Sequence, residues 1–275
     1  MTYALAVLAS ITYGAADFLG GLATKRSPLF SVVIFSQLSG LILVLLGLPF
    51  LPRSSPTAID FAWGSAAGLA GGIGVALLYR ALAVGVMSVV APVTAICAVI
   101  IPLIVGVGLG ERPTMRAMIG IVIAILAIIL VSQTGEERAT TGVSIAIASG
   151  IAIGIFLVFL GRTGTSAGLW PLIAARSVSV SFFTIAGLVG RQKLMPRRES
   201  MLIVICGGAV DMIANILYLI AVRIGLLSIV ATLTSLYPTS TIVLARIVLH
   251  ERLRALQQVG VLCAAIAIVL IVSAT

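Results

Sequence analysis

The sequence predicts an all-α polytopic membrane protein: ten transmembrane helices arranged as two inverted five-helix repeats. Three observations predict it. The composition suits lipid rather than water, the apolar runs have the length of membrane spans, and the chain resembles itself at an offset of 140 residues. The 275 residues are 61% hydrophobic and 9% charged, with mean hydropathy +1.27, whereas soluble domains carry about 25% charged residues. A 28.3 kDa globule cannot hide that much aliphatic surface from water. The same hydrophobicity excludes a disordered chain. Cys97, Cys206 and Cys263 are scattered through apolar runs, so they read as small buried hydrophobes rather than a disulfide scaffold. The net charge of +9 reflects Lys and Arg in membrane-flanking loops, not a nucleic-acid surface.

A membrane helix needs roughly 20 apolar residues. Ten windows fit: 2–23, 28–50, 61–84, 87–109, 114–133, 141–163, 168–190, 200–222, 226–248 and 255–274. Short separators with breakers or charges divide them, such as Lys25-Arg26-Ser27-Pro28, Pro52-Arg53-Ser54-Ser55-Pro56, Glu111-Arg112-Pro113 and Arg197-Arg198-Glu199. Residues 2–23 are expected to be the first span and not a cleaved leader. They lack a basic start, contain Asp17 and precede Lys25-Arg26. The runs are apolar on all sides, unlike the alternating strands of a barrel, and only helices or closed barrels satisfy the backbone in lipid.

Gly85, Ser88, Val90 and Ala91 align with Gly225, Ser228, Val230 and Ala231; Glu111-Arg112 aligns with Glu251-Arg252, and Gly120 with Gly260. Tyr79 matches Tyr218 after a one-residue slip. Charges are scarce here, so the repeated Glu-Arg pair is not a product of composition. The expected halves are residues 1–135 and 136–275, joined near Gly135-Glu136-Glu137-Arg138. Because five helices per half is an odd number, the second half enters the membrane inverted, an architecture recurrent in secondary transporters.

The pattern Tyr-x-x-x-Ala, Gly-x-x-Ser, a proline-containing helix ending in Gly-Glu-Arg or His-Glu-Arg, and a Gly-containing last helix resembles the EamA-type repeat of the drug/metabolite transporter superfamily. Tyr218, Gly225, Ser228, Pro238, Glu251-Arg252 and Gly260 carry it in the second half. Tyr79, Ala81, Gly85, Ser88, Gly110-Glu111-Arg112 and Gly120 carry it in the first, and Tyr13-Gly14-Ala15-Ala16-Asp17-Phe18 resembles the family's opening segment. The resemblance implies a ten-helix carrier of amino acids, other metabolites or drugs, commonly an exporter. It also implies a central cavity lined by helices one, three, four, six, eight and nine. Two positions depart from the pattern. The proline matched by Pro238 falls at Ala98 in the first half, which has Pro92 and Pro102 instead, and the frequent arginine of helix two is Gln37, although its helix-seven counterpart Arg176 is present.

An ionisable group inside a span costs about 2.5–3.5 kcal/mol on insertion scales and so marks a functional candidate. Three stand out: Asp17, Asp211 and Arg176. Asp17 shares a helical face with Ser10, Tyr13 and Gly14, and Asp211 shares one with Asn215 and Tyr218. Tyr237, with Thr234 and Thr241 nearby, makes helix nine a polar cavity wall. The expected substrate-binding set is Tyr13, Asp17, Tyr79, Asp211, Asn215, Tyr218 and Tyr237. Pro92, Pro102 and Pro238 are expected as hinges, since each removes a backbone hydrogen bond. Asp211 has an alternative role as a packing pair with Arg176, and helix seven is expected to be peripheral. Glycines 64, 68, 71, 72 and 74 of helix three read as close-packing positions. Glu111 and Glu251 read as helix-end and interface anchors. A carboxyl in low dielectric holds its proton to higher pH, so coupling to a proton gradient is compatible with these residues.

No enzyme constellation, ATP-binding glycine loop or metal-spaced Cys/His set occurs, and no cofactor is expected. The expected partners are a small-molecule substrate and the lipid bilayer of the cytoplasmic membrane. Counting Lys and Arg by side gives eleven with the 24–28 and 190–198 loops and five on the side of the termini, so the termini are expected outside. The leading function is a secondary carrier of small polar metabolites such as amino acids, working by alternating access. Efflux of drugs or hydrophobic cations is the second reading, and a non-transporting scaffold or channel the third.

Overall fold

The computed structural model describes residues 2–50, 53–85, 87–131, 142–249 and 255–273. Its helices are α1 (Thr2–Thr24), α2 (Leu29–Gly47), α3 (Ala58–Val84), α4 (Met87–Gly108), α5 (Met115–Val131), α6 (Val143–Gly161), α7 (Trp170–Val189), α8 (Arg198–Ile224), α9 (Leu227–Thr234), α10 (Tyr237–Leu249) and α11 (Ala255–Val272). Short 3-10 turns occupy Leu48–Phe50 and Thr165–Ala167, and no strand occurs among the described residues. Both the expected join at Gly135-Glu136-Glu137-Arg138 and the Glu251-Arg252 pair lie outside the described residues.

Seven helices, α1 to α4 and α6 to α8, are long and apolar enough to cross a membrane. Two shorter apolar stretches, Met115–Leu130 and Gln258–Ile271, fall in α5 and α11. The window 226–248, expected as one span, is instead broken into α9 and α10 at Ser235-Leu236. Pro238 explains the break, because it has no amide hydrogen for the Thr234 carbonyl one turn earlier, while its fixed φ suits the first turn of a new helix. Leu46, Ile104, Val122 and Leu262 are among the large aliphatic side chains that stand exposed on the outer faces. Such a surface is stable against acyl chains, not water.

Neither half of the chain packs mainly on itself. Helix α1 lies against α8 and the α9–α10 pair; α6 lies against α3 and α4. Helix α2 packs on α7 and α8, α3 on α7, and α5 pairs with α11. The closest crossings use glycine where a side chain would collide with backbone. A Cβ on Gly68 would come within 2.1 Å of the Ala175 carbonyl oxygen, and one on Gly208 within 2.1 Å of the Ser36 carbonyl oxygen. Interfaces of this kind let helix backbones touch and gain dispersion energy where lipid removes the hydrophobic drive.

The loops gather at two ends of the bundle. At one end Asp60 Oδ1 accepts from the Gly164 amide at 2.7 Å, and Arg223 Nη1 donates to the Gly168 carbonyl at 2.8 Å. Here too Glu111 accepts from the Leu227 and Ser228 amides at 2.7 and 2.9 Å, which caps α9. At the other end the Arg197 amide donates to Ser27 Oγ at 3.0 Å.

Candidate functional site

A central cavity with about 740 Å³ of empty space, its open mouth included, lies between α1, α2, α3, α4, α6, α7, α8 and the α9–α10 break. Helix α1 brings Tyr13 and Asp17 to it from adjacent turns, and α8 brings Asp211 and Asn215 in the same way. Asn215 Nδ2 donates to the backbone carbonyl of Asp211 at 2.7 Å and to its carboxylate at 3.2 Å, which fixes the amide. From α7, Arg176 donates to the Asp211 carboxylate and to Gln37 Oε1 on α2. The guanidinium is largely buried, with 9% of its side chain exposed, and Asp211 supplies its counter-charge. The half-buried Asp17 has no hydrogen-bonding or ion-pair partner among the described residues. Pairing therefore neutralises one carboxylate of the cavity and leaves the other available.

Six more polar atoms of the lining are buried without a hydrogen-bond partner among the described residues: Tyr13 OH, Ser179 Oγ, Asn215 Oδ1, Thr234 Oγ1, Ser235 Oγ and Tyr237 OH. A buried hydroxyl or amide left unpaired costs on the order of 1–3 kcal/mol. That six converge on one space is the signature of a site completed by a polar ligand or by water. Phe156, Ile153 and Leu172 supply apolar wall between them.

Of the expected substrate-binding residues, Tyr13, Asp17, Asp211, Asn215 and Tyr237 line the cavity. Tyr79 and Tyr218 do not, and their placement there is corrected. Tyr79 is 3% exposed with its ring over Gly20 of α1, and Tyr218 is fully buried, donating its hydroxyl to the Leu157 carbonyl of α6 at 2.9 Å. Both phenols are spent on helix packing. Thr241 likewise donates to the Gly14 and Tyr237 carbonyls, both at 3.1 Å. Pro92 and Pro102 lie inside α4, and Pro238 is the second residue of α10. None of the three lines the cavity, though Ala98, one turn before Pro102, does.

Helix seven is not peripheral. Leu172, Ala175, Arg176 and Ser179 form one wall, because Gly68 and Gly72 of α3 allow α7 to approach closely. Gln37 and Arg176, separated by 139 residues in sequence, meet where α2 crosses α7. The family resemblance pairs the two positions but predicts no contact between them.

The fold and its cavity define a multi-pass membrane protein with a chamber between helices, its wall largely apolar with polar groups set into it, the build of a transporter. The chain belongs to the EamA-like transporter family, whose model matches residues 1–133 and 140–273. It is thus a transmembrane transporter of the drug/metabolite type. One solved structure, a crystal structure of a protein, matches 96% of this chain and 98% of its own, with TM-score 0.72 at 14% identity. At that identity the likeness speaks for the fold alone. No curated protein matches the chain.

Proposed function

We propose that the chain is a secondary carrier that moves small polar metabolites, amino acids foremost, outward across the cytoplasmic membrane by alternating access. The observation that carries this reading is the chamber itself: an unpaired carboxylate, Asp17, beside six unpartnered buried polar atoms. A solute with an ammonium group satisfies Asp17, and its remaining polar groups satisfy the hydroxyls and the Asn215 carbonyl oxygen. Tyr13, Asp17, Asn215 and Tyr237 are the proposed contacts, and Arg176 with Asp211 sets the charge of the opposite wall. Asp17 is also the proposed group for proton coupling, because Asp211 is held by its arginine.

In this proposal the two five-helix repeats, residues 1–135 and 136–275, are related by a two-fold axis in the membrane plane, with their helices interleaved rather than forming separate bodies. Two facts support this. Exchanging each helix for its counterpart turns the α1–α8 contact into α6–α3 and the α2–α8 contact into α7–α3, and both are present. Directions also invert: α6 begins with Gly142 beside Ala81 and Gly85, at the end of the bundle opposite to the one where Asp60 meets Gly164. The α9–α10 break and Pro92, Pro102 and Pro238 are the proposed flexing points.

The test is thermal stabilisation of purified protein by a panel of amino acids and lipophilic cations, followed by counterflow of the best ligand in proteoliposomes. Stabilisation and counterflow by an amino acid, both lost in Asp17→Asn, support the proposal. Stabilisation by lipophilic cations alone moves the function to drug efflux, which Phe156, Tyr13 and Tyr237 could also serve by stacking. No counterflow of any ligand refutes carriage.

A further inference from the structure

A second pocket lies at the bundle end where α1 leads into α2 and α7 into α8, away from the central chamber. It is lined by Lys25, Arg26, Ser27, Pro28, Lys193, Met195 and Arg197, among others. Four cations face one space, and no carboxylate among the described residues lines it. Among those residues Glu199, in the first turn of α8, forms no ion pair with them, and the Arg176–Asp211 salt bridge involves none of the four. Four like charges around one space repel one another, so an anion placed among them is favoured.

The pocket is preformed. The Arg197 amide donates to Ser27 Oγ at 3.0 Å, which ties the 190–197 loop to the α1–α2 turn. Leu194 packs over Gly187, next to Phe30, and the Gln192 amide donates to the Gly187 carbonyl at 2.8 Å. Pro28 and Arg197 are the N-cap residues of α2 and α8, and neither helix start is capped by a side chain. Two helix N-termini therefore add their partial positive charge to the four side chains. The surroundings are apolar: Met195 lines the pocket at 67% exposure, and Val189 and Leu202 stand exposed on the helix ends that flank the loop.

We infer that this pocket is a binding site for the phosphate of an anionic phospholipid, with the lipid's acyl chains running down the exposed aliphatic face of the adjoining helices. The phosphate diester sits among Lys25, Arg26, Lys193 and Arg197 at headgroup depth, and the flanking Met195, Val189 and Leu202 receive glycerol and chain. Basic pockets at the ends of membrane helices suit such headgroups, and each cation near the surface contributes roughly a fivefold preference for an anionic leaflet. A soluble phosphate would use the four cations but gain nothing from the apolar surround.

The experiment titrates short-chain phosphatidylglycerol, phosphatidylcholine of the same chains, and inorganic phosphate against the full chain in mild detergent, reading melting temperature and lipid adducts by native mass spectrometry. The combined Lys25→Gln, Arg26→Gln, Lys193→Gln and Arg197→Gln variant removes the charge from exposed side chains only. Arg53→Gln with Arg162→Gln is the control from the opposite end. The expected result is saturable binding of phosphatidylglycerol that phosphatidylcholine and phosphate do not reproduce. That binding should weaken by more than roughly tenfold in the fourfold variant and hold in the control. Should the fourfold variant melt early, the pairs Lys25→Gln with Arg26→Gln and Lys193→Gln with Arg197→Gln replace it, each expected to lose part of the affinity. Equal binding by variant and wild type, no preference over phosphatidylcholine, or equal protection by free phosphate overturns the inference.

Discussion

Arg176 on α7 and Asp211 on α8 form a salt bridge on the cavity wall, and the same guanidinium holds Gln37 on α2. The charge of Asp211 is thus a structural requirement of Arg176 whatever else it does. Asp211→Asn leaves a largely buried guanidinium without a counter-charge, which costs on the order of 3 kcal/mol. The expected outcome is a clearly lower melting temperature in detergent, partly restored when Arg176→Met is added. A variant as stable as the wild type would mean that water in the cavity already screens the pair.

Asp17→Asn is expected to behave in the opposite way. Its carboxylate has no partner among the described residues, so removing the charge strands nothing. The variant should melt like the wild type or higher, insert normally and lose ligand stabilisation. Unaltered ligand response in a folded Asp17→Asn protein would remove Asp17 from the binding site.

The sequence made much of the bundle legible but less of the chamber. Span-length apolar runs located α1 to α8 and α11 to within a few residues because their length and hydropathy are set by the bilayer. The break between α9 and α10 was missed because a proline reads equally as a kink inside a helix and as the first turn of a new one. In the chamber, helical spacing correctly grouped Asp211, Asn215 and Tyr218 on one stripe. It could not tell that two turns of rise, about 10 Å, carry Tyr218 past the cavity to the Leu157 carbonyl. The role of α7 was hidden for a related reason: the space for it is made by glycines on another helix, Gly68 and Gly72.

Those glycines give a sharp stability contrast. Alanine at 68 or 208 would put a methyl 2.1 Å from a backbone oxygen of the neighbouring helix, which cannot be relieved by turning a side chain. Gly68→Ala and Gly208→Ala should each cost on the order of 2–3 kcal/mol as overpacking and reduce the folded yield. Gly47, with nothing within 4 Å of the place a methyl would take, should accept alanine with no loss. Melting curves of the three variants side by side decide this, and equal curves would refute the close crossings.

Glu111 belongs to the loop before α5 but caps α9, with each carboxylate oxygen on one amide of the helix start. A carboxylate there satisfies two orphan donors and meets the positive end of the helix dipole. Glu111→Ala should cost about 1–2 kcal/mol, and Glu111→Gln a smaller part of that, because the amide keeps one acceptor oxygen. Since the capped helix borders the chamber through Thr234, the alanine variant should also weaken ligand stabilisation. A loss of stability equal in the two variants would argue that charge rather than capping geometry holds the contact.

Orientation follows from the charges at the two ends. Among the described residues one end gathers Lys25, Arg26, Arg191, Lys193, Arg197 and Arg198 with only Glu199 among them, whereas at the other Asp60 and Glu111 sit among Arg53, Arg112, Arg116, Arg162 and Arg223. Lys and Arg resist transfer across the membrane during insertion, so the richer end is expected to stay in the cytoplasm. A reporter that works only in the cytoplasm should be active when inserted in the 190–197 loop and silent when fused after residue 275. The reverse pattern would place the basic pocket on the outer face and invert the chain.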